Sequence, residues 1–217
     1  MDFQELELRI ARDLLKIRAV FFRPEEPCIW ASGIKSPVYC DNRLTLGDHA
    51  VRTDVENGLA DIIRHDYPEA QVLMGTSTAG IAHAAITAQI LELPMGYVRS
   101  GAKDHGRRNQ IEGRLEPGWK TVVVEDLIST GGSVLETVQA LRDAGAEVLG
   151  VASIFTYGMK KGLERMAQAD VRNHSLTNFD VIVDVASQEG YIRPGDAGRL
   201  LRFRDNPSDE SWIGGEA

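Results

Sequence analysis

The spacing of hydrophobic residues changes along the chain, and each change marks a different predicted element. An amphipathic first helix is predicted by apolar residues at helical spacing, which are Phe3, Leu6, Ile10, Leu14 and Ile17. The helical pattern stops before residues 21–43, where three prolines and Gly33 indicate turns or short strands. A second amphipathic helix is predicted over residues 51–63, with Asp48 as its expected N-cap.

From residue 71 onward, short apolar runs alternate with helical patterns. Strands are predicted at the apolar runs, which are residues 71–75, 94–99, 120–125, 147–155 and 179–185. Further helices are predicted over residues 81–90 and 134–141. Continuous apolar strands that alternate with helices are typical of a parallel sheet covered on both faces. The sequence therefore predicts an α/β fold with a central, mostly parallel sheet flanked by helices.

Composition and charge exclude several classes of protein. Of the 217 residues, 43% are hydrophobic and 26% are charged, as in globular domains rather than disordered or collagen-like chains. With 24 basic and 32 acidic residues the net charge is -8, which does not favour a nucleic-acid partner. The most apolar stretch, residues 72–96, contains too many polar side chains for a membrane span.

The amino-terminal segment and the cysteines predict a cytoplasmic location. Residues 1–15 carry acidic side chains where a signal peptide would carry basic ones. Because no export signal is predicted, Cys28 and Cys40 are expected to be reduced thiols rather than a disulfide.

The most informative segment is VVVEDLISTGGSV, residues 122–134, which joins a buried strand to a helix. In such a turn, successive backbone N–H groups and the helix N-terminus form a nest for a phosphate. The carboxylates of Glu125 and Asp126 would repel a phosphate, but they can accept hydrogen bonds from a vicinal diol. We therefore interpret the segment as a site for ribose 5-phosphate; the alternative is an ordinary strand-to-helix turn with a capping Asp.

A second turn, GTSTAG at residues 75–80, also follows a predicted strand and opens a helix. Ile81 and Ala82 stand where a P-loop requires Lys and Ser or Thr, so the segment is not a nucleotide triphosphatase loop. Its amides and its hydroxyls, including those of Thr76 and Ser77, are candidates to hold a second phosphate group. An ordinary turn is the alternative.

Two further segments carry basic residues. Residues 99–114 contain five basic and two acidic side chains together with three glycines. A long loop of this kind suits closure over a polyanion and neutralisation of a phosphate leaving group, and a solvated surface loop is the alternative. Residues 35–43 by themselves favour a strand whose basic side chains reach solvent. His83, which lies among alanines, is expected in a core or an interface.

Four segments together resemble the type I phosphoribosyltransferases, and more closely the orotate phosphoribosyltransferase family. They are ASGIKSPVYCDNR (31–43), GTSTAGIAHAA (75–85), YVRSGAKDHG (97–106) and the segment 122–134. The resemblance implies the type I fold with a small N-terminal hood. It implies a helix and hood over residues 1–45 that contribute to base binding, and an α/β core over residues 46–204. Residues 205–217 are polar and are expected to form a loosely held tail.

The resemblance also implies a reaction, in which ribose 5-phosphate passes from phosphoribosyl diphosphate (PRPP) to orotate. It implies Mg²⁺ as cofactor and a homodimer whose catalytic loop reaches the neighbouring subunit's active site. From that loop, Arg99, Lys103 and His105 would contact the diphosphate. Lys103 and His105, with Asp126, are the catalytic residues that the resemblance implies. It implies no metal ligand among the side chains.

Binding of the ribose phosphate and the base is assigned by the same resemblance. The ribose phosphate is assigned to Glu125, Asp126, Leu127, Ile128, Ser129, Thr130, Gly131, Gly132 and Ser133. Ser129 would also touch orotate, and Lys35 would lie near PRPP and the pyrimidine.

The chain departs from the family pattern at three positions. Ser100 replaces a second Lys after the loop arginine, and Glu125 replaces the first Asp of the usual pair. Tyr157 stands where some members carry an orotate-binding Arg. We therefore expect Arg43, or backbone amides of residues 35–40, to hold the orotate carboxylate.

Two other functions remain open from the sequence. One is a phosphoribosyltransferase for a purine base, because base preference depends on side chains that the motifs do not place. The other is a PRPP-sensing regulator without catalysis, although no basic recognition-helix segment is present.

Overall fold

A computed structural model describes residues 2–30, 33–101 and 110–213. Its helices are α1 (Phe3–Lys16), the 3-10 helix η1 (Asn42–Gly47), α2 (His49–Asp66), α3 (Ala79–Leu91), α4 (Gly132–Asp143), α5 (Lys160–Gln168), α6 (Phe179–Gln188) and α7 (Asp196–Asp205). Its strands are β1 (Val20–Phe22), β2 (Cys28–Ile29), β3 (Lys35–Ser36), β4 (Val38–Cys40), β5 (Val72–Thr76), β6 (Met95–Val98), β7 (Ile111–Glu112), β8 (Lys120–Ile128), β9 (Glu147–Thr156) and β10 (Asn173–Asn178).

Within these ranges the central sheet has six strands in the order β10-β9-β8-β5-β6-β7. All neighbours in the sheet are parallel except β6 and β7, which pair antiparallel. This arrangement confirms the predicted α/β fold with a mostly parallel sheet. The central strands β5 and β8 come from two of the apolar runs in the sequence, and their carboxyl ends lie side by side.

Hydrophobic cores cover both faces of the sheet. Leu73 of β5 packs into a core built with α1, α2, α3 and α6, whereas the next residue, Met74, packs under α4 and α5. Successive strand residues point to opposite faces, so a strand buried on both sides is apolar throughout. Among the residues described, no helix combines the length and apolar character needed to cross a bilayer.

The strand predicted over residues 179–185 is wrong, because this segment forms helix α6. Its buried residues follow helical spacing, and they are Phe179, Ile182, Val183, Val185 and Ala186. The side chain of Asn178 caps the helix by accepting from the Val181 N–H at 3.1 Å. The actual edge strand is the preceding segment β10, whose polar sequence NHSLTN gives no strand signal.

A small amino-terminal unit, the hood, precedes the sheet. Strand β1 pairs antiparallel with β4, and β2 pairs antiparallel with β3. Helix η1 then leads from the hood into α2, whose predicted N-cap is confirmed. Asp48 accepts hydrogen bonds from the N–H groups of Ala50 and Val51. Helix η1, which connects the hood to α2, contacts the central strand β8.

The carboxyl-terminal segment contains one buried aromatic side chain. Trp212 is only 1% exposed and packs edge-on against the ring of Phe203. The buried guanidinium of Arg199 donates to the Trp212 carbonyl at 2.9 Å. One buried indole therefore anchors the segment at Trp212, and the loose tail over residues 205–217 stays a prediction.

Candidate active site

The carboxyl ends of β8 and β5 bring together the two turns singled out in the sequence. β8 continues to Ile128, three residues beyond the predicted strand end, and α4 begins at Gly132. β5 ends at Thr76, and α3 begins at Ala79. In open α/β sheets, this edge is where ligands bind. Both predicted phosphate turns therefore face one region.

The acid pair has two different environments. Glu125 is 4% exposed, and its Oε1 accepts from the Thr76 hydroxyl at 2.6 Å. The same atom accepts from the Asp126 N–H at 3.0 Å. Burial, followed by the neighbouring Asp126, raises the pKa of Glu125 to about 8. Asp126 is only half-buried, so its carboxylate is the more accessible of the two.

The main chain of Asp126 is held from the hood. The buried side chain of Asn42, the first residue of η1, donates from Nδ2 to the Asp126 carbonyl at 2.7 Å. This residue is not predictable from the sequence, because an amide between Asp41 and Arg43 carries no charge or spacing signal. The only available signal is its position in the segment 35–43.

The turn after the acids has the geometry of an anion nest. Gly131 adopts a left-handed conformation with φ of +74° and caps α4 without a side-chain hydrogen bond. The first N–H groups of a helix have no partner within the helix, so they can bind an anion. Ser129 and Thr130 are half-buried, and Ser133 is exposed. The predicted ribose-phosphate residues thus run continuously from the end of β8 through this turn into the start of α4.

Helix α5 packs closely against this turn. A Cβ on Gly162 would lie 2.4 Å from the Ser129 carbonyl oxygen, so only glycine permits the contact. Arg165 of α5 also donates to the Thr130 carbonyl at 3.2 Å. The position of the nest is therefore fixed from the side opposite Asn42.

The turn between β5 and α3 is tied to its neighbours. The Ser77 hydroxyl accepts from the Ser100 N–H at 2.7 Å, and the Ser77–Thr78 peptide is cis. A Cβ on Gly80 would lie 2.5 Å from both the Thr76 hydroxyl oxygen and the Val124 carbonyl oxygen. Glycine at this position thus allows α3 to approach β8 closely.

The basic candidates of the sequence are paired with acids. Lys35 Nζ lies 2.9 Å from Glu210 Oε2, which belongs to the carboxyl-terminal segment. Arg43 donates to both oxygens of Asp41, at 2.6 and 2.7 Å. These pairs are solvent-accessible, so an anionic ligand can compete for either cation.

The loop candidates are described only in part. Arg99 directly follows β6, and its Nε lies 3.1 Å from Oε1 of Glu112 in β7. Lys103 and His105 lie outside the described residues. The structure therefore brings together the acids, the nest and the β5–α3 turn, and it leaves those two loop residues as sequence predictions.

Two other side chains are placed in the interior. Tyr157 is buried, its ring lies 5.5 Å from that of Trp30, and its N–H donates to the Ile128 carbonyl. Burial raises the pKa of Tyr157. His83 is fully buried, and its Nδ1 lies 2.7 Å from Glu56 Oε1. This confirms the expectation of a packed histidine. Tyr157 thus contributes packing between hood and core.

In the described part of the chain, metal-binding side chains do not cluster. Within the described ranges, no group of three or more His, Cys, Asp or Glu residues is arranged to hold a metal ion. Cys28 and Cys40 are free thiols, as the sequence predicts. Carboxylates at this edge are therefore available as single oxygen donors rather than as a metal cage.

An acid pair followed by a turn with unpaired helix N–H groups, at the carboxyl edge of a parallel sheet, is the arrangement that the sequence predicts for a phosphoribosyltransferase. The family model for the phosphoribosyl transferase domain matches residues 45–189, which include both turns. The protein is therefore an enzyme of the phosphoribosyltransferase class.

Similar proteins narrow the assignment. The chain is 54% identical over 210 residues to an orotate phosphoribosyltransferase of Bacillus subtilis, covering 97% of each chain. It is 52% identical over 207 residues to one from Listeria innocua, covering 95% of this chain and 98% of that one. A crystal structure of orotate phosphoribosyltransferase from Aeropyrum pernix matches with a TM-score of 0.74 and 30% identity, covering 85% of this chain and 99% of that one. The chain belongs to the orotate phosphoribosyltransferase family.

Proposed function

We propose that the protein transfers ribose 5-phosphate from PRPP to orotate, giving orotidine 5'-phosphate and diphosphate in pyrimidine synthesis. The observation that carries this proposal is the contiguity of the half-buried Asp126 carboxylate with the nest that ends at the N-terminus of α4. A carboxylate suits the ribose hydroxyls, and the nest suits the 5-phosphate. The relatives at 50% identity and above carry the name of this activity.

The ribose phosphate occupies the segment 125–133. Glu125 and Asp126 bind the hydroxyls of the ring, with Asp126 as the accessible partner. The 5-phosphate accepts hydrogen bonds from backbone N–H groups between Leu127 and Gly132, and from the hydroxyls of Thr130 and Ser133. Support for this assignment comes from the continuous turn and from the uncapped start of α4.

The diphosphate lies between the second turn and the basic loop. Ser77 and the backbone of Thr76 contact it from the β5–α3 turn, and Arg99 contacts it from the end of β6. Lys103 and His105 complete the leaving-group site, on the strength of the resemblance. This placement requires Arg99 to exchange its contact with Glu112 for a contact with the substrate.

The base lies on the hood side. Arg43, or backbone amides of residues 35–40, hold the orotate carboxylate, Lys35 lies near PRPP and the pyrimidine, and Ser129 contacts the ring. Both cations are paired with carboxylates at the surface, and an anionic ligand can compete for either of them. The hood of residues 1–45 thereby contributes base binding to the core of residues 46–204.

Mg²⁺ fits the donors of this site. Substrate oxygens and water would hold most of the ion's coordination sphere beside the accessible carboxylate of Asp126, and the described residues offer no multi-carboxylate cage. Mg²⁺ commonly keeps several waters and substrate oxygens, with one or two carboxylates from the protein. When bound, the ion would neutralise charge on the diphosphate.

The reaction breaks the anomeric C–O bond, which builds positive charge on the ribose and negative charge on the diphosphate. Asp126 stabilises the cationic ring, while Arg99, Lys103 and His105 stabilise the leaving group. The attacking nitrogen of orotate arrives already deprotonated, so the protein supplies no strong base.

The active form is a homodimer in which the loop around Lys103 crosses to the partner's site. The resemblance supports this arrangement. A cytoplasmic location is supported by the free thiols of Cys28 and Cys40, which suit a reducing compartment.

Orotate consumption, followed by ultraviolet absorbance, tests the proposed function. Absorbance is measured with and without PRPP and Mg²⁺, and adenine, guanine and uracil are assayed in parallel by diphosphate release. We expect turnover of orotate only when both additions are present. Turnover of a purine but not orotate would assign another base, and PRPP binding without any turnover would indicate a regulator.

A further inference from the structure

Asn42 is a polar residue buried at the junction between hood and active site. No surface of its side chain is exposed, although it begins η1 near the protein surface. Its Nδ2 reaches across 84 positions of sequence to the Asp126 carbonyl oxygen, at 2.7 Å. A fully buried amide cannot contact a substrate, so any part that it plays in the reaction must act through Asp126.

Strand β5 ends before it reaches the position of Asp126 on its neighbour β8, so it leaves the Asp126 carbonyl without a partner from that strand. The register between β5 and β8 stops at the pair Gly75 and Val124, so β5 does not extend beside Asp126. A partly buried carbonyl that lacks a donor is costly, and side chains commonly supply the missing bond. Asn42 supplies that donor and takes the place of a strand partner at this position.

The direction of the Asn42 amide is fixed by its neighbours. The Cys40 thiol donates to the side-chain Oδ1 of Asn42 at 3.4 Å. The Thr45 hydroxyl donates to the main-chain carbonyl of Asn42 at 2.6 Å and so holds the backbone. Burial, with nearby Asp126 and Asp41, raises the pKa of Cys40, so the thiol stays protonated and able to donate. Because Oδ1 accepts from Cys40, Nδ2 is the end of the amide that faces Asp126.

We propose that Asn42 is a positioning residue, which fixes the main chain of Asp126 and thereby holds its carboxylate against the ribose hydroxyls. This inference rests on the proposed function. The same hydrogen bond joins the hood to the ribose site, because Asn42 lies two residues after the end of hood strand β4. Displacement of a reacting group by a fraction of an ångström lowers rates steeply.

Two substitutions of similar size test the proposal. Asn42→Asp and Asn42→Leu both remove the Nδ2 donor, and only the first adds a charge. We expect each to lower kcat for orotate transfer by about 10- to 100-fold. Asn57→Asp is the matched control, because Asn57 is exposed on α2 and its amide donates only within the helix, to the Thr53 carbonyl. We expect this control to leave kcat unchanged.

A double-mutant cycle separates positioning from a general loss of structure. In an Asp126→Asn background, which lacks the carboxylate, Asn42→Leu should lower kcat by less than about threefold. The full decrease in that background would overturn the proposal, as would Asn42 variants that match Asn57→Asp. Thermal unfolding identifies any variant that fails to fold, and if Asn42→Asp fails, Asn42→Leu carries the comparison. The wild-type assay reports separately on the proposed function.

Discussion

The hydroxyl of Thr76 donates to Oε1 of Glu125 at 2.6 Å, and this contact joins the two turns of the site. Thr76 is the last residue of β5, whereas Glu125 lies in β8, and both side chains are buried. The hydrogen bond favours the ionised form of Glu125, against the opposing effect of burial. The charge of the acid pair therefore depends on a residue of the other turn.

Thr76→Val removes the hydroxyl while keeping the shape of the side chain. Glu125 then loses a donor to its carboxylate, so its pKa rises further above the ordinary value. We expect the acidic limb of the pH profile of kcat/KM for PRPP to move upward by about one unit, the scale of one charge-assisted hydrogen bond. Initial rates measured between pH 6 and 10 check this shift.

Thr76→Ser is the matched control for that prediction. It keeps the hydroxyl and removes only a methyl group, so the profile should stay close to that of the wild type. Equal shifts for the Val and Ser variants would show that packing, rather than the hydrogen bond, sets the profile.

Glu125→Gln should change how stability depends on pH. In the folded protein the pKa of Glu125 is about 8, whereas an unfolded chain ionises glutamate near its ordinary value. Between these values the folded state binds more protons, so the free energy of unfolding falls as pH rises. Glutamine does not ionise, so the variant avoids this loss. The difference in free energy of unfolding between the variant and the wild type should therefore increase by up to ~1.4 kcal/mol per pH unit between the two pKa values.

Urea unfolding at half-unit steps from pH 5 to 9 measures the effect of Glu125→Gln. Glu147→Gln, at an exposed position at the start of β9, serves as the control. A constant difference between Glu125→Gln and the wild type at every pH would contradict the raised pKa.

Much of the core was predictable because apolar strands buried on both faces leave a clear pattern. The runs around Leu73 and Val123 predict strands, and the structure places them beside each other in the middle of the sheet. The edge of the sheet was less predictable. Residues 173–178 are polar because an edge strand is covered by fewer neighbours, while the β-branched residues of α6 imitate a strand.

The site was predictable only where one segment carries its own chemistry. The acids and glycines of residues 122–134 are contiguous, so the function of this segment can be inferred from its own sequence. Asn42 becomes significant only when the fold brings it to Asp126. The anchoring of Trp212 similarly depends on packing against Phe203 and on Arg199, which composition does not reveal.

Lys103→Ala should lower kcat by roughly a hundredfold or more, the scale of one charge contact made in the transition state. The reason is loss of a cation from the diphosphate leaving group. Initial rates at saturating PRPP and orotate measure the change. Lys161→Ala, at an exposed position in α5, is the control and should keep wild-type turnover. Unchanged turnover in the Lys103 variant would remove the loop lysine from the mechanism.

Gly80→Ala should destabilise the fold and disturb the second turn. The added Cβ would lie 2.5 Å from the Val124 carbonyl oxygen, so α3 must move away from β8. We expect a loss of about 1–3 kcal/mol, as for other overpacked sites, together with a higher KM for PRPP. Gly198→Ala is the matched control in α7, where the nearest atom lies 3.9 Å away and belongs to a flexible arginine. Because alanine favours helices, Gly198→Ala should have a higher free energy of unfolding than the wild type in urea. Equal losses of stability in the Gly80 and Gly198 variants would contradict the close approach of α3 to β8.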